Sequence, residues 1–331
     1  MNNTEQTTAF SGPFFVTGMP RSGTKLIAGL LDQHPSLGIP HRETTFLALW
    51  IRRFKQTGDV SSRKDFKKFY DWTVRLPYFS GMESDGFLIG MDEWYNSCSS
   101  YSVQGVFKAL VRHDARIDEG SESTWGSRSP AHIRQIPMLR SFYSDCRIIH
   151  IVRDVRDYCV SMKKAWGKHP LRSAQRWRND VLAAREHGME YPDSYLEIRY
   201  EDLLENPKSE LSRVCGFLGV CFNPVMLQLK RPVESAGDAK GQRGIIASNR
   251  GKYSEFFGSG DIEKIEQIAK DALLEFGYEV APETVSKRLG PLRMKFYKML
   301  DAASLLRTST AKIGFRQALR ISIDSVRMNR N

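Results

Sequence analysis

The chain has 331 residues, of which 41% are hydrophobic and 26% charged, an ordinary globular composition that suffices for one large α/β core or two small ones. Its formal net charge is +11, but residues 291–331 hold nine Lys/Arg against two Asp, so most of the excess lies in the tail. A general nucleic-acid binder usually carries its basic face on the folded body, so this distribution favours small anionic ligands and a basic tail.

The first twelve residues, MNNTEQTTAFSG, have neither the basic start nor the apolar core of a signal peptide. No stretch reaches the roughly 18 consecutive apolar residues of a membrane span, so we expect no entry into a secretory pathway. The five cysteines are odd in number and include no C-x-x-C pair, which favours neither a disulfide framework nor a zinc site. A reduced, cytoplasmic setting without a bound metal fits these features.

The first strand–helix unit lies near the start of the chain. Phe14–Thr17 is a β-branched and aromatic run that ends at Gly18, and Leu26, Leu30 and Leu31 then recur at helical spacing. The segment therefore predicts a strand, a glycine-containing loop and a helix.

Two further units have the same order. Arg147–Val152 is a nearly continuous apolar run, as a strand buried on both faces requires, and a helical stretch to Trp166 follows it. Tyr195–Arg199 is a third strand, with Tyr200, Glu201 and Asp202 after it. Strands that alternate with helices predict an α/β fold with a central parallel sheet flanked by helices and ligands at the carboxyl ends of the strands.

Residues 44–118 read as mostly helical and rich in aromatic side chains, which we expect to pack in a core and to build an acceptor-side addition. We predict one domain over residues 12–285 that includes this segment, and a basic amphipathic helical tail over 286–331. In the tail, Lys312, Arg316 and Arg320 recur on one helix face, which favours a solvated face or a weak membrane-surface contact.

The stretch GMPRSGTK, Gly18 to Lys25, nearly matches the phosphate-binding consensus G-x-x-x-x-G-K-[ST]. A glycine-rich turn that leads into a helix points free backbone N–H groups at one spot, where the helix dipole adds positive charge. Here Thr24 occupies the place of the consensus lysine and Lys25 that of the magnesium-binding hydroxyl, which disfavours a triphosphate–magnesium site. Arg21, inside the loop, can instead contact an oxygen bonded to phosphorus or sulfur.

Three more stretches complete a family pattern with this loop: RIIHIVRDVRDYCVSM at Arg147–Met162, YLEIRYEDLLENP at Tyr195–Pro207 and NRGKYSEFF at Asn249–Phe257. Together with FFVTGMPRSGTKL they closely resemble the sulfotransferases that use 3'-phosphoadenosine 5'-phosphosulfate (PAPS). The resemblance spans roughly residues 12–260 in the family's order. It implies a P-loop-NTPase-like three-layer sandwich with helical additions, and a sulfuryl transfer that needs no metal.

The resemblance also implies cofactor contacts. The loop would bind the 5'-phosphosulfate. Arg153 and Ser161, two turns apart on one helix face, would hold the 3'-phosphate. Tyr200 would lie beside the adenine. Lys252 matches a late basic contact of the family, with Ser248, Asn249 and Arg250 as its neighbours. The loop residues are Arg21, Ser22, Gly23, Thr24 and Lys25. From the residues alone, Arg153 could equally form an ion pair, and Tyr200 could pack in the core.

For catalysis, Arg21 resembles the family's cation at the leaving oxygen, and Arg128 would contact the sulfuryl oxygens, as would Ser235. Glu43 stands where tyrosylprotein and several glycan sulfotransferases carry a catalytic glutamate, so it is the first candidate for the base. A carboxylate that stabilises the first turn of the following helix is the competing interpretation. His132 is the second candidate, because the Ser127–Pro130 segment lacks the histidine of the cytosolic phenol-sulfating branch.

These features favour the carbohydrate and tyrosylprotein type, and a glycan or glycolipid as acceptor. A tyrosyl peptide or a small alcohol is the alternative within the family. Two interpretations from other classes are a P-loop kinase or NTPase, which needs a lysine at position 24, and a nucleotide-binding protein that has lost the chemistry.

Overall fold

A computed structural model describes residues 10, 12–54, 56–118, 120–232 and 240–313, with side chains described as far as residue 305. The chain forms two compact units. Unit 1 comprises the described residues of Met1–Val152, Val181–Ser235 and Ala239–Ala247. Unit 2 comprises those of Arg153–Asp180, Ala236–Asp238 and Ser248–Asn331. The predicted division at residues 285 and 286 stays a prediction.

Unit 1 contains a parallel sheet of five strands in the order β2-β3-β1-β4-β5. The strands are β1 (Phe14–Thr17), β2 (Leu37–Gly38), β3 (Thr124–Arg128), β4 (Arg147–Val152) and β5 (Tyr195–Arg199). Because β1 lies between β3 and β4, all four of its side chains are buried, as a central parallel strand requires. The predicted α/β fold with a central parallel sheet is confirmed.

Helices connect and flank these strands. Those before β4 are α1 (Thr24–Leu31), α2 (Leu47–Phe54), α3 (Arg63–Thr73), α4 (Pro77–Ser84), α5 (Met91–Ser97), α6 (Val103–Asp114) and α7 (Ile136–Phe142). Those after β4 are α8 (Val155–Trp166), α9 (Pro170–Met189), α10 (Tyr200–Glu205), α11 (Pro207–Leu218), α12 (Tyr253–Phe256), α13 (Ser259–Glu275) and α14 (Pro291–Ile313). Short 3-10 turns span Pro130–Arg134, Pro192–Ser194 and Pro224–Leu227.

Two strands were not anticipated from the sequence. β3 has the sequence TWGSR, whose glycine and polar residues hide its strand character, and β2 is two residues long. The glycine of β3 has a steric reason, since a Cβ on Gly126 would come within 2.4 Å of the Phe14 ring on the neighbouring strand. All five residues of β3 are buried because this strand lies between β1 and β2.

The predicted helical segment forms α2 to α6, which we call the aromatic insert (residues 47–114). Its core is a set of rings packed edge to face and stacked, with Trp50 near Phe69 at 5.0 Å and Trp94 at 5.6 Å between centroids. The fully buried rings are Trp50, Phe66, Phe69, Phe79, Trp94 and Phe107. These aromatic side chains are core residues, as expected from the sequence.

Unit 2 contains α8, α12, α13 and α14 together with the first part of α9. Trp177 packs fully buried near Phe276, with ring centroids 6.3 Å apart. Ion pairs join its helices, among them Arg156 with Glu266 at 2.7 Å. The core of unit 2 therefore combines an apolar centre with paired charges.

Candidate active site

The loop between β1 and α1 begins with a tight turn over Met19–Ser22. The Ser22 N–H donates to the Met19 carbonyl at 3.1 Å, and Arg21 has a φ of 71°. Proline second and a positive φ third is the pattern of a type II turn, whose third position ordinarily requires glycine. A non-glycine residue there costs roughly 1–2 kcal/mol. Since Arg21 is strained, its side chain rather than its backbone explains its presence.

Two glycines of the loop stand where a side chain does not fit. Gly18, with φ 157°, would place a Cβ 2.3 Å from the backbone oxygen of Ile151 on β4. Gly23, with φ 96°, would place one 2.4 Å from the ring of Tyr200. The loop thus lies against β4, and Tyr200, which the resemblance predicts to lie beside the adenine, packs next to Gly23.

The first turn of α1 has backbone donors that no side chain caps. Gly23 is its N-cap, no side chain caps it, and its first turn contains no acidic residue. The amide groups of Thr24, Lys25 and Leu26 are among the donors that a helix cannot satisfy internally. Ser22 Oγ is buried and has no hydrogen-bond partner among the described residues. Orphan donors and a buried hydroxyl at a helix N-terminus fit an anion such as a phosphate.

Glu43 and Arg128, both predicted as catalytic, form an ion pair at the end of β3. Arg128 Nη1 donates to Glu43 Oε1 at 3.1 Å, and the other Nη donates to the His41 carbonyl. The Thr44 N–H donates to the Arg128 carbonyl at 3.1 Å, which ties the segment to the strand. The Arg128 side chain is 3% exposed and that of Glu43 is 34% exposed. The pair therefore presents the carboxylate and keeps the guanidinium beneath it.

His132, the second candidate for the base, is fully buried. Its Nδ1 lies 3.0 Å from Gln135 Oε1 and its Nε2 lies 3.2 Å from Thr44 Oγ1. Burial lowers the pKa of the imidazole to about 4, so the ring is neutral near pH 7. The ring also meets Phe15 edge to face at 5.5 Å. These contacts place His132 in the core, with both ring nitrogens engaged by neighbours.

A cleft adjoins the Glu43–Arg128 pair, and the sequence did not indicate it. It consists of two cavities of about 310 and 570 Å³, which share lining residues such as Asp32, His41 and Arg231. The smaller cavity is lined by Lys25 and Arg128 and the larger by residues of the aromatic insert. Its walls come from segments far apart in the sequence and carry no shared motif, which is why sequence patterns could not reveal it.

In unit 2, the predicted 3'-phosphate residue Arg153 is almost fully buried. Its Nη2 donates to the Asn249 carbonyl at 3.1 Å and lies 4.0 Å from Asp157 Oδ2. Asp157 also accepts the N–H groups of Gly251 at 2.6 Å and Tyr253 at 3.0 Å. The structure therefore brings Arg153 together with the 249–253 segment that contains the other predicted cofactor residues.

The remaining predicted residues are placed as follows. Ser161 lies partly buried on α8, two turns beyond Arg153, while Ser248 and Arg250 are exposed and Lys252 is half-buried. Ser235 lies outside the described residues. Within the described ranges, no three His, Cys, Asp or Glu side chains are grouped as metal ligands. No helix of the same ranges is long and apolar enough to cross a bilayer.

The structure thus combines a parallel α/β sheet, a glycine-containing loop and an uncapped helix after its central strand, and an acid–arginine pair at the end of a neighbouring strand. Ligands of such folds bind at the carboxyl ends of the strands. The model of the Sulfotransferase family matches residues 13–224, more than half of the chain. The chain belongs to this family, and the resemblance seen in the four motifs is confirmed.

Individual relatives are distant. The nodulation protein NoeE of Sinorhizobium fredii is 24% identical over 80% of this chain and 65% of its own length. Protein-tyrosine sulfotransferase 1 of Danio rerio is 22% identical over 67% of this chain and 57% of its own length. The chain thus spans less than two thirds of each relative. The solved sulfotransferase domain of the Synechococcus PCC 7002 olefin synthase shares the fold, with a TM-score of 0.53, 18% identity, and coverage of 85% of this chain and 100% of that domain.

Proposed function

We propose that this protein transfers a sulfuryl group from PAPS to a hydroxyl group of a glycan or glycolipid. One observation carries the proposal: Lys25, in the uncapped first turn of α1, and Arg128, which is ion-paired with Glu43, line the same cavity in a chain of the Sulfotransferase family. The first feature suits an anionic donor, and the second suits an acceptor that must lose a proton.

The donor loop fits PAPS on physical grounds. The backbone N–H groups of Gly23, Thr24 and Lys25 and the Ser22 hydroxyl would hold the 5'-phosphate, where the α1 dipole favours negative charge. Tyr200, in contact with Gly23, would border the adenine. Arg153 and Ser161 are proposed for the 3'-phosphate, with Ser248, Asn249, Arg250 and Lys252 as further contacts, on the basis of the sequence resemblance.

When bound, PAPS would supply an activated sulfuryl group whose S–O bond to phosphate breaks as a new S–O bond forms to the acceptor. Glu43 would accept the hydroxyl proton, and Arg128, which lines the smaller cavity, donates to the Glu43 carboxylate at 3.1 Å. Arg21 would stabilise charge on the leaving phosphate oxygen, and Arg128, with Ser235, charge on the sulfuryl oxygens. Positioning and fixed charge do most of this work, as in phosphoryl transfer, so the scheme requires no metal.

Glu43 is a better base than His132 in this proposal because its side chain is partly exposed and is ion-paired with Arg128 of the cavity lining. The His132 imidazole is fully buried and engaged by Thr44 and Gln135, so it would have to leave the core to reach an acceptor. Its place under Thr44 suits a role in supporting the Glu43 segment.

The polar walls of the cleft support a polyhydroxylated acceptor. Asp32, Gln33 and Asp85 can accept hydrogen bonds from sugar hydroxyls. A tyrosyl peptide is the alternative that the name of the Danio rerio relative suggests.

A transfer assay with radiolabelled PAPS tests the proposal. Three sets of acceptors are offered: oligosaccharides, both neutral and acidic; tyrosyl peptides; and small alcohols. We expect label in the oligosaccharides, in magnesium-free buffer. Label in the peptides alone would show that the acceptor is a tyrosyl peptide and not a glycan. PAPS binding without transfer to any acceptor would indicate a non-catalytic binding protein, and magnesium-dependent ATP hydrolysis would indicate an NTPase.

We also propose a weak contact of the C-terminal helix with anionic membrane surfaces. The basic face expected there depends on Lys312, Arg316 and Arg320, whose side chains lie outside the described ones. The support comes from the described part of α14. Leu292, Phe296 and Met299 recur on one face and are 81%, 56% and 69% exposed.

The opposite face of α14 packs within unit 2. There Tyr297 stacks on the His169 ring with centroids 3.7 Å apart, and Asp301 Oδ1 accepts the backbone N–H of His169 at 2.7 Å. An apolar face flanked by Arg293 and Lys295 is the pattern of an interfacial helix. The protein should co-sediment with phosphatidylserine vesicles, and a smaller fraction of it should co-sediment with phosphatidylcholine vesicles. Equal retention by both, or by neither, would contradict the proposal.

A further inference from the structure

The larger cavity of the cleft carries an excess of positive charge. The larger cavity is lined by four Lys/Arg and three Asp side chains. Arg42 is nearly buried and pairs with both Asp114 and Asp85, so these charges are mutually satisfied. Beyond them, the exposed cations of the larger cavity are Arg116, Lys230 and Arg231. Asp32 is the third carboxylate of this lining, and Lys230 and Arg231 act on it electrostatically, so three exposed cations stand against one carboxylate here.

Arg116 stands at a backbone position that normally belongs to glycine. α6 ends at Asp114 with Ala115 as its C-cap, and Arg116 follows with a φ of 56°. The Arg116 N–H donates to the His113 carbonyl at 3.0 Å, and the Ile117 N–H donates to the Arg112 carbonyl at 2.9 Å. These two bonds define a Schellman motif, whose left-handed residue is most often glycine because a Cβ is strained there. The arginine thus costs stability at this position.

The guanidinium of Arg116 is held in a fixed arrangement at the cavity wall. It lies 4.8 Å from the centroid of the Phe87 ring, and the Phe87 ring also stacks on the His113 ring with centroids 4.5 Å apart. A cation over an aromatic face is partly ordered and keeps its N–H groups free to donate at their edge. Arg116 is therefore strained in its backbone, ordered in its side chain and located in the cavity lining.

From this we infer that the acceptor carries an anionic group, a carboxylate or a sulfate, and that Arg116, Lys230 and Arg231 bind it. The inference rests on the proposed function and narrows it to acidic glycans. The accepting hydroxyl would lie toward Glu43 and Arg128, and the anionic group would lie in the larger cavity. Arg116 would then determine specificity, because a neutral acceptor leaves its charge without a partner.

A direct binding measurement tests the inference apart from turnover. The probes are a uronate-containing disaccharide, its carboxyl-reduced counterpart, in which a neutral hydroxymethyl group replaces the carboxylate, and a sulfated neutral disaccharide. Calorimetry on the PAP-loaded protein should show tight binding of the uronate or the sulfated probe, which identifies the anion, and weak binding of the reduced one. Arg116→Gly should weaken binding of the charged probe by about tenfold or more, the usual loss for a charge-assisted hydrogen bond, and leave the reduced probe unaffected.

Arg116→Gly also separates function from folding. Because glycine suits the left-handed position, this variant should melt at the same or a higher temperature while it loses affinity. The Lys230→Ala, Arg231→Ala double variant should lose affinity for the same probe, and Arg75→Ala, an exposed arginine outside the cavity lining, should not. Equal binding of the charged and reduced probes, or equal losses for both in Arg116→Gly, overturns the inference. Tight, charge-dependent binding without any sulfuryl transfer would refute the proposed function instead and leave the anion site standing.

Discussion

The loop edge of unit 1 (residues 18–25 and 41–44) and the aromatic insert are held by different forces. At the loop edge, positive φ values at Arg21 and Gly23 and close backbone contacts fix the geometry. In the insert, rings such as those of Trp50 and Trp94 fix it by packing. A backbone-defined site tolerates few residue types, so it is visible as a motif, whereas a packed core accepts many aromatic arrangements and leaves no motif.

The largest expected effect compares one glycine from each region. Gly23 and Gly86 both have a left-handed φ, 96° and 67°, but a Cβ on Gly86 meets no atom within 4 Å. Gly86→Ala should therefore cost only the backbone strain, about 1–2 kcal/mol. Gly23→Ala adds an overlap with the Tyr200 ring at 2.4 Å, so it should cost clearly more and abolish PAP binding. Urea unfolding and calorimetry measure both, and equal losses for the two variants would show that the loop edge is not sterically constrained.

The second prediction extends the comparison to unit 2. Arg153→Ala removes a guanidinium held against Asn249, and we expect PAP affinity to fall by about 10- to 100-fold, the range for a hydrogen bond to a charged group. An analogue without the 3'-phosphate should lose little. Calorimetry with both ligands checks this. Similar losses for the two would mean that Arg153 acts through the fold and does not bind the 3'-phosphate.

The third prediction concerns pH and the helix that leaves the loop. Burial raises the pKa of Asp32 from its ordinary 3.8 to about 6, so its charged form is disfavoured in the folded state. The wild-type protein should lose the corresponding stability as pH rises from about 4 to about 6. Asn at this position has no charge and can still accept the Ile39 N–H. Asp32→Asn should therefore stabilise the protein by on the order of 1–2 kcal/mol at pH 7 and not at pH 4.

Urea unfolding of wild type and Asp32→Asn at the two pH values measures this difference. A stability difference that does not change with pH would show that Asp32 is not held in a desolvated site.

The smallest effect lies inside the insert. Trp50 and Trp94 are both fully buried, but Trp94 Nε1 donates to the Val106 carbonyl at 3.0 Å, and Trp50 Nε1 has no partner among the described residues. Each change to Phe removes the same volume. Trp94→Phe should therefore be about 1 kcal/mol more destabilising than Trp50→Phe, the net value of one hydrogen bond. If Trp50→Phe proves the more damaging in chemical denaturation, ring packing outweighs hydrogen bonding in the insert.

Strands were predictable from the sequence where burial requires a run of apolar residues. β1, β4 and β5 have the predicted limits. β1 and β4 are apolar runs because they lie inside the parallel sheet, whereas β5 is an edge strand with partly exposed residues. β2 and β3 were missed because their strand character depends on neighbours: Gly126 is explained by the Phe14 ring, which no local pattern reveals.

The site divides in the same way. The glycine-containing loop is predicted by its sequence motif, and Glu43 and Arg128 by the family resemblance. The structure adds that the side chains of Glu43 and Arg128 are ion-paired. The cleft was not predictable, since Asp32, Arg116 and Arg231 come together only through the tertiary fold. The burial of His132 was likewise invisible, because its core position depends on Thr44 and Phe15.

The most direct test of the account is sulfuryl transfer from radiolabelled PAPS to an oligosaccharide by wild type and Glu43→Gln, with PAP affinity measured in parallel. The substitution can keep the hydrogen bond from Arg128 and removes the basic oxygen. We predict transfer by wild type and a turnover lower by about 10²-fold or more in the variant, the usual contribution of a general base, at unchanged PAP affinity. Equal turnover of the two proteins would contradict the role of Glu43, and no transfer by wild type to any hydroxyl acceptor would contradict the function.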